Sequence, residues 1–219
     1  MVQGAKIKRT AAAEKQRTDG KETYEKIMEC AGKLIAEKGF AAVTSKEICE
    51  KAGVNLAAVN YHFGSRNGMY LALLEQVHQY VIPLERLQAL ERSGLTPREK
   101  VEACIGFLVE NAFRKRDWQM GVWVREMMNP SPLLREFVNE AGLPKFSIIV
   151  KIFSEYTGYG ENDHRLYSAM VTLAAPFAMM VLGQYHPVTG EIPVHFPRER
   201  LAEDLKSLAL ANLENLKKQ

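Results

Sequence analysis

Thr44-Ser45-Lys46-Glu47-Ile48-Cys49-Glu50-Lys51-Ala52-Gly53-Val54-Asn55-Leu56-Ala57-Ala58-Val59-Asn60-Tyr61-His62-Phe63 is the stretch that decides how this chain is read. Ile48 and Ala52 stand one helical turn apart, as an apolar stripe on a short helix requires. Gly53 stops that helix where a left-handed backbone is least costly. Val54 fills the angle behind the turn, and Asn55 carries a side-chain oxygen suited to capping the next helix. The pattern is helix, tight turn, helix, with expected spans Ser45–Ala52 and Leu56–Phe63.

A corner of this kind reads DNA by sending its second helix nose first into the major groove while the first helix crosses the backbone. On that geometry Leu56, Ala57 and Ala58, short or apolar and next to the cap Asn55, suit close approach to thymine methyl groups. The Asn60 amide suits adenine. Tyr61 and His62 carry polar ends further along, and with Thr44, Ser45, Lys46 and Arg66 they are the expected phosphate contacts, which set register and affinity rather than sequence preference. Double-stranded DNA is the partner this surface calls for.

The charge distribution points the same way. The 219-residue chain has a net charge of only +3. Its first 21 residues carry Lys6, Lys8, Arg9, Lys15, Arg17 and Lys21 against Glu14 and Asp19, so the remainder is close to neutral. Residues 1–21 therefore read as a basic flexible arm that attracts a polyanion. The hydrophobic content of 47% is enough to bury a core.

Residues from Tyr24 to Glu75 resemble the DNA-binding domain of the TetR family of bacterial repressors. The resemblance rests on an apolar helix ending in Gly39-Phe40, on Thr44 before the second helix and on Ala52-Gly53-Val54 at the turn. It rests also on Tyr61-His62-Phe63 at the end of the recognition helix and on Phe63-Gly64-Ser65-Arg66 before the fourth. The chain departs from the family at Asn60, often Tyr, and at Ala58, often Thr or Ser. Asn55 through Phe63 is most similar to the CecR-like branch, and Arg125-Glu126-Met127-Met128-Asn129-Pro130-Ser131-Pro132 resembles part of that branch's C-terminal domain. The resemblance implies a homodimer on a pseudopalindromic operator, repressing until a small-molecule inducer enters the C-terminal domain. An activator, or a regulator whose ligand is a corepressor, would carry the same signature.

Elsewhere the 3.6-residue period dominates and alternation is rare, so the expected fold is all-α. It comprises a three-helix helix-turn-helix domain over 22–64, followed by a larger helical ligand-binding and dimerisation bundle over 65–219. Helices are expected over Thr23–Lys38, from the Ser65 cap to Pro83, and from Thr96-Pro97-Arg98-Glu99, a capping box with proline at the first position, to about Arg116. Further helices are expected near Gln119–Met128, Ser131–Ala141, Pro144–Tyr156, Asp163–Gly183 and Pro197–Lys218.

The bundle sequence offers a soft apolar lining in Met120, Val122, Trp123, Met127 and Met128, in Phe146, Ile149, Val150 and Phe153, and in Met170, Leu173, Phe177 and Met180. From these, Met120, Trp123, Met127, Phe153, Met170 and Phe177, with His186 as a polar anchor, are the expected contacts to a small, largely apolar effector. Arg125, Glu126, His164, Tyr167 and Tyr185 are further candidate anchors. No Asp, Glu, Lys or Arg falls between Arg165 and Glu191, but the run contains Ser168, Thr172 and Pro176, and its apolar core from Leu166 to Leu182 is short for a membrane span. Its Ala169, Ala174, Ala175, Ala178 and Gly183 suit close helix packing, so this helix and the one after Pro197 are the expected homodimer interface rather than a membrane anchor.

Other classes find little support. Histidines at 62, 78, 164, 186 and 195 are scattered, with no H-E-x-x-H, no G-x-S-x-G and no glycine-rich phosphate loop, so neither an enzyme nor a cofactor is expected. Cys30, Cys49 and Cys104 form no C-x-x-C pair, and no apolar signal stretch precedes Lys21, which argues for a reducing cytoplasm and against metal or disulfides. A membrane-surface helical protein would account for the basic start and the uncharged run, but leaves the helix-turn-helix without a purpose.

Overall fold

The computed structural model describes residues 2–185 and 198–215, with side chains described over 19–185 and 199–215. Its helices in chain order are α1 (Val2–Lys38), α2 (Ser45–Ala52), α3 (Leu56–Phe63), α4 (Arg66–Val81), α5 (Leu84–Arg92) and α6 (Pro97–Phe113), then α7 (Trp118–Met128), α8 (Leu134–Phe137), α9 (Leu143–Thr157), α10 (His164–Tyr185) and α11 (Arg198–Asn215). The described residues contain no strand, so the fold is all-α.

Two cores organise these helices. The first gathers Ile27, Ala31, Leu34 and Ile35 of α1, Ile48 of α2, Val59 of α3, and Met69, Tyr70, Leu73 and Leu74 of α4. Trp118 and Val122 of α7 belong to it as well, so the reading end is closed from behind by the bundle. Gly32 permits this closure. A Cβ there would stand 2.2 Å from the Trp118 ring, so only hydrogen fits where α1 crosses α7. The second core is built from α5, α6, α9, α10 and α11 around Leu87, Ile105, Ile152, Leu166 and Leu213.

Three segments depart from expectation. Residues 2–21, read as a flexible arm, continue α1 as helix; the segment has no proline, and Ala11-Ala12-Ala13-Glu14 favours helix strongly. Pro83 ends α4 but also serves as N-cap of the unanticipated α5, whose Leu87 and Leu90 are buried one turn apart. The single helix expected over Ser131–Ala141 is instead a turn, the four-residue α8 and a π-helical turn at Val138–Gly142. Pro130 and Pro132 bias the residues before them away from helix, which delays its start.

α10 is long and apolar enough to cross a membrane by length and composition. Its Leu166, Ala169, Leu173, Phe177 and Val181 nevertheless form a buried stripe at helical spacing in the second core. The opposite face, with Val171 and Met179, is exposed.

Candidate DNA-reading face and effector cavity

The corner is fixed by its own side chains. Thr44 Oγ1 accepts from the Glu47 amide at 3.1 Å, and Asn55 Oδ1 accepts from the Ala58 amide at 3.0 Å, so each helix is capped by the residue before it. Gly53 between them is left-handed at φ 68°. Lys38 of α1 reaches Glu47 at 2.6 Å and ties α2 to the first helix.

With the corner set, Val59 is buried and Leu56, Ala57, Asn60 and Tyr61 share the open face, Tyr61 being 84% exposed. Ala58 is half-buried and packs against the first core, contrary to its expected place at the tip, on the flank it shares with the half-buried His62 one turn on. His62 is half-buried, its ring 6.0 Å edge-on from Tyr24, while Phe63 stacks on Tyr24 at 4.9 Å. Thr44 and Lys46 are exposed and Ser45 half-exposed at the start of α2. Arg66 faces inward: its Nε donates to the Val43 carbonyl at 3.0 Å, its Nη2 to the Phe40 carbonyl, and its guanidinium lies 3.9 Å from the Phe40 ring centre. The Arg66 fork thus ties the carbonyls at the two ends of the short 3-10 turn Phe40–Ala42 to the start of α4, so Arg66 is a brace rather than a free phosphate contact.

From Arg66 a chain of contacts runs into the bundle. Phe40 stacks on Tyr70 of α4 at 4.0 Å. The Tyr70 hydroxyl donates to the Glu126 carboxylate of α7, whose other oxygen accepts from the Ser131 amide and hydroxyl at 3.0 Å each. Burial and the neighbouring carboxylate push the Tyr70 phenol well above its ordinary range, so it remains a donor. Beside it, Arg125 donates to the carbonyls of Ala36, at 2.6 Å, and Glu37 in the last turn of α1. The Arg125-to-Ser131 segment thus grips both α1 and α4, and Arg125 and Glu126 are unavailable as effector anchors.

An apolar cavity of about 280 Å³ lies in the second core. Phe153 of α9 and Met170 of α10, both expected contacts, line it, and Tyr167 stands in its wall. Trp123 lines an adjoining chamber of about 190 Å³. The other expected contacts fall elsewhere: Met120 and Phe177 pack in the core without lining either space, and Met127 is 60% exposed on the surface. His186 lies outside the described residues. Sequence reasoning missed Cys104, Phe107 and Leu108 of α6, although Val101, Cys104, Ile105 and Leu108 already repeat at helical spacing. Burial pushes the Cys104 thiol up to about 12, leaving it a neutral part of the wall. Reasoning also missed His78 and Lys145 in the smaller chamber. A lone lysine inside Leu143-Pro144-Lys145-Phe146-Ser147-Ile148-Ile149 was the available signal.

Residues 27–73 match the family model for bacterial regulatory proteins of the tetR family, and residues 97–185 match the model for the C-terminal domain of the HTH-type transcriptional dual regulator CecR. The chain is a TetR-family regulator of the CecR-like branch. Among curated relatives, CecR of Shigella flexneri is 25% identical over 157 residues, covering 67% of this chain and 70% of CecR. The regulator YvkB of Bacillus subtilis is 41% identical over 54 residues, covering 25% of this chain and 29% of YvkB. Among solved structures, FadR of Bacillus subtilis in complex with stearoyl-CoA superposes with a TM-score of 0.63 at 19% identity, covering 86% of this chain and 98% of FadR. The ketosteroid regulator KstR2 of Mycobacterium tuberculosis also gives 0.63, at 17% identity, covering 90% and 95%. Likeness at this identity establishes the shared fold. A TetR-family regulator of this branch binds DNA to control transcription, and its relatives are named as regulators rather than enzymes.

Proposed function

We propose that this regulator is a cytoplasmic, sequence-specific repressor that acts as a homodimer on a pseudopalindromic operator and is released by a small, largely apolar inducer. The observation that carries the reading is the open face of α3. Leu56, Ala57, Asn60 and Tyr61 are solvent-facing on a helix whose every other feature is locked, an arrangement that suits base reading by preorganised side chains. Thr44, Ser45 and Lys46 flank that face as phosphate contacts, and the basic residues of 1–21 add sequence-independent attraction. On this reading 22–64 carries recognition and 65–219 carries sensing and dimerisation.

Two recognition helices must stand about 34–36 Å apart to enter successive major grooves, which calls for a dimer. The exposed Val171, Ala175 and Met179 of α10 and Leu208 of α11 offer an apolar surface for a second copy. The cavity supports an apolar inducer, as do FadR and KstR2, whose names carry an acyl-CoA and a ketosteroid. Ile82, just past the end of α4, lines the cavity, so filling it displaces the helix that begins beside α3 and changes the separation of the readers. CecR is named a dual regulator, which favours activation at some promoters as a second reading.

The test is binding of the purified chain to DNA upstream of its own gene, titrated against salt. The reading expects a steep salt slope, weaker binding by Tyr61→Ala and altered sequence preference by Asn60→Ala. Unchanged binding by both variants would refute the assignment of α3.

A further inference from the structure

Lys145 of α9 is charged, yet its side chain is buried, with the residue only 6% exposed. Its Nζ donates to the His78 carbonyl at 2.9 Å and to the Ile82 carbonyl at 2.7 Å, both at the end of α4. An ammonium has three donors, and two are thus engaged. Among the described residues no carboxylate lies within salt-bridge distance of Lys145; Glu75 and Glu85 act on it from further away, and Glu140 and Glu75 share its outer groove. Burial lowers the Lys145 pKa, as expected of a cation lacking a close counter-charge.

The same chamber holds a second unsatisfied group. His78 Nδ1 is buried without a hydrogen-bond partner. Burial, with Lys145 next, holds that imidazole down to about 4, so it is neutral and able to donate one hydrogen bond. A buried cation without a counter-ion and an unpaired polar nitrogen are each unfavourable unless something completes them. The chamber of about 190 Å³ that His78 and Lys145 line shares Ile82, Leu87, Phe146 and Ile149 with the apolar cavity of about 280 Å³.

We propose that the effector is a lipophilic carboxylate, with its carboxylate on Lys145 Nζ and His78 Nδ1 and its hydrocarbon body in the apolar cavity, a reading that rests on the cavity being the effector site. Two donors match two carboxylate oxygens, whereas a phosphate dianion would demand a larger donor set than this chamber supplies. A neutral alcohol would leave the ammonium without a counter-charge, and an amine would oppose it. The carboxylate takes the third donor and, as the stronger acceptor, draws Nζ away from the His78 and Ile82 carbonyls. Its arrival therefore loosens the C-terminal anchorage of α4, the helix whose other end adjoins the DNA-reading corner.

Decanoate and decanol, titrated calorimetrically into the full-length chain, isolate the head group because their tails are alike. Decanoate is expected to bind at least about ten-fold more tightly than decanol, and Lys145→Met to erase that difference by weakening decanoate alone. Leu108→Trp, which fills the apolar cavity, is expected to weaken both. Equal binding of the two probes by the native chain overturns the carboxylate assignment and leaves the cavity reading standing. Binding of neither probe overturns both, and full binding of both by Leu108→Trp overturns the location. Should Lys145→Met fail to fold, the native comparison still decides, and Lys145→Arg is expected to retain the preference.

Discussion

The two ends of α4 sit in opposite surroundings. Its N-terminal half buries Met69, Tyr70, Leu73 and Leu74 in a dry core with α1, α2, α3 and α7, whereas Ile82, just beyond its C-terminus, borders two empty spaces and its carbonyl accepts from a buried lysine. One end is packed so that the recognition helix has a single position; the other is left incomplete. Close packing transmits displacement without absorbing it, so on the proposed function a disturbance at the hollow end would reach the reader through a stiff lever.

That contrast can be broken most forcefully by truncation. Leu73→Ala, at a site with no exposure, is expected to destabilise by about 2–5 kcal/mol, while Ile149→Ala, beside an existing void, is expected to lose only about 1 kcal/mol and to enlarge the cavity. Equal losses in chemical denaturation would show that the two ends are packed alike. Next in size, Gly32→Ala forces a methyl group into the Trp118 ring and is expected to cost about 1–3 kcal/mol, read as a lowered Tm. Tyr70→Phe removes the donor to a buried Glu126 oxygen and is expected to cost about 1–3 kcal/mol, with the loss shared by effector and DNA binding because the contact joins α4 to α7.

The hollow end carries a pH signature. His78 is held near 4 in the folded chain, below its ordinary 6.5, so between those values the unfolded chain binds more protons than the folded one. Stability therefore falls as pH drops from about 6.5 to about 4. The effect should be about 1–2 kcal/mol after allowance for solvent screening of a partly exposed ring, and smaller in His78→Phe. Lys145 and Glu75 face this ring, so the comparison is best made against Lys145→Met as well. Smallest of all, Thr44→Ala removes a cap and should cost about 1 kcal/mol, while Tyr61→Ala should leave stability within about 0.5 kcal/mol and yet weaken DNA binding.

The two ends also differed in legibility. Ser45–Ala52 and Leu56–Phe63 could be read to the residue because Thr44, Gly53, Asn55 and Gly64 act locally, within a turn of the helix they bound. Neither the inward turn of Arg66 nor the closure of the reading end by Trp118 was legible, since both depend on partners far away in the chain. At the cavity, Phe153 and Met170 stand out as apolar residues at helical spacing, but nothing in periodicity separates a residue lining a void from one filling a core, and Met120 and Phe177 carry the same signature. Lys145 escaped because a lysine in an amphipathic pattern ordinarily lies on the wet face.

The central claim, a dimer that reads DNA through α3, is tested most directly by selecting tight binders from a random-sequence duplex pool with the purified chain and sequencing what is retained. The account predicts enrichment of a pseudopalindrome whose half-sites are spaced for two recognition helices, with preference at the central positions of each half-site altered in Asn60→Ala. Retention of no sequence above the starting pool, by a chain shown to be folded, would contradict it.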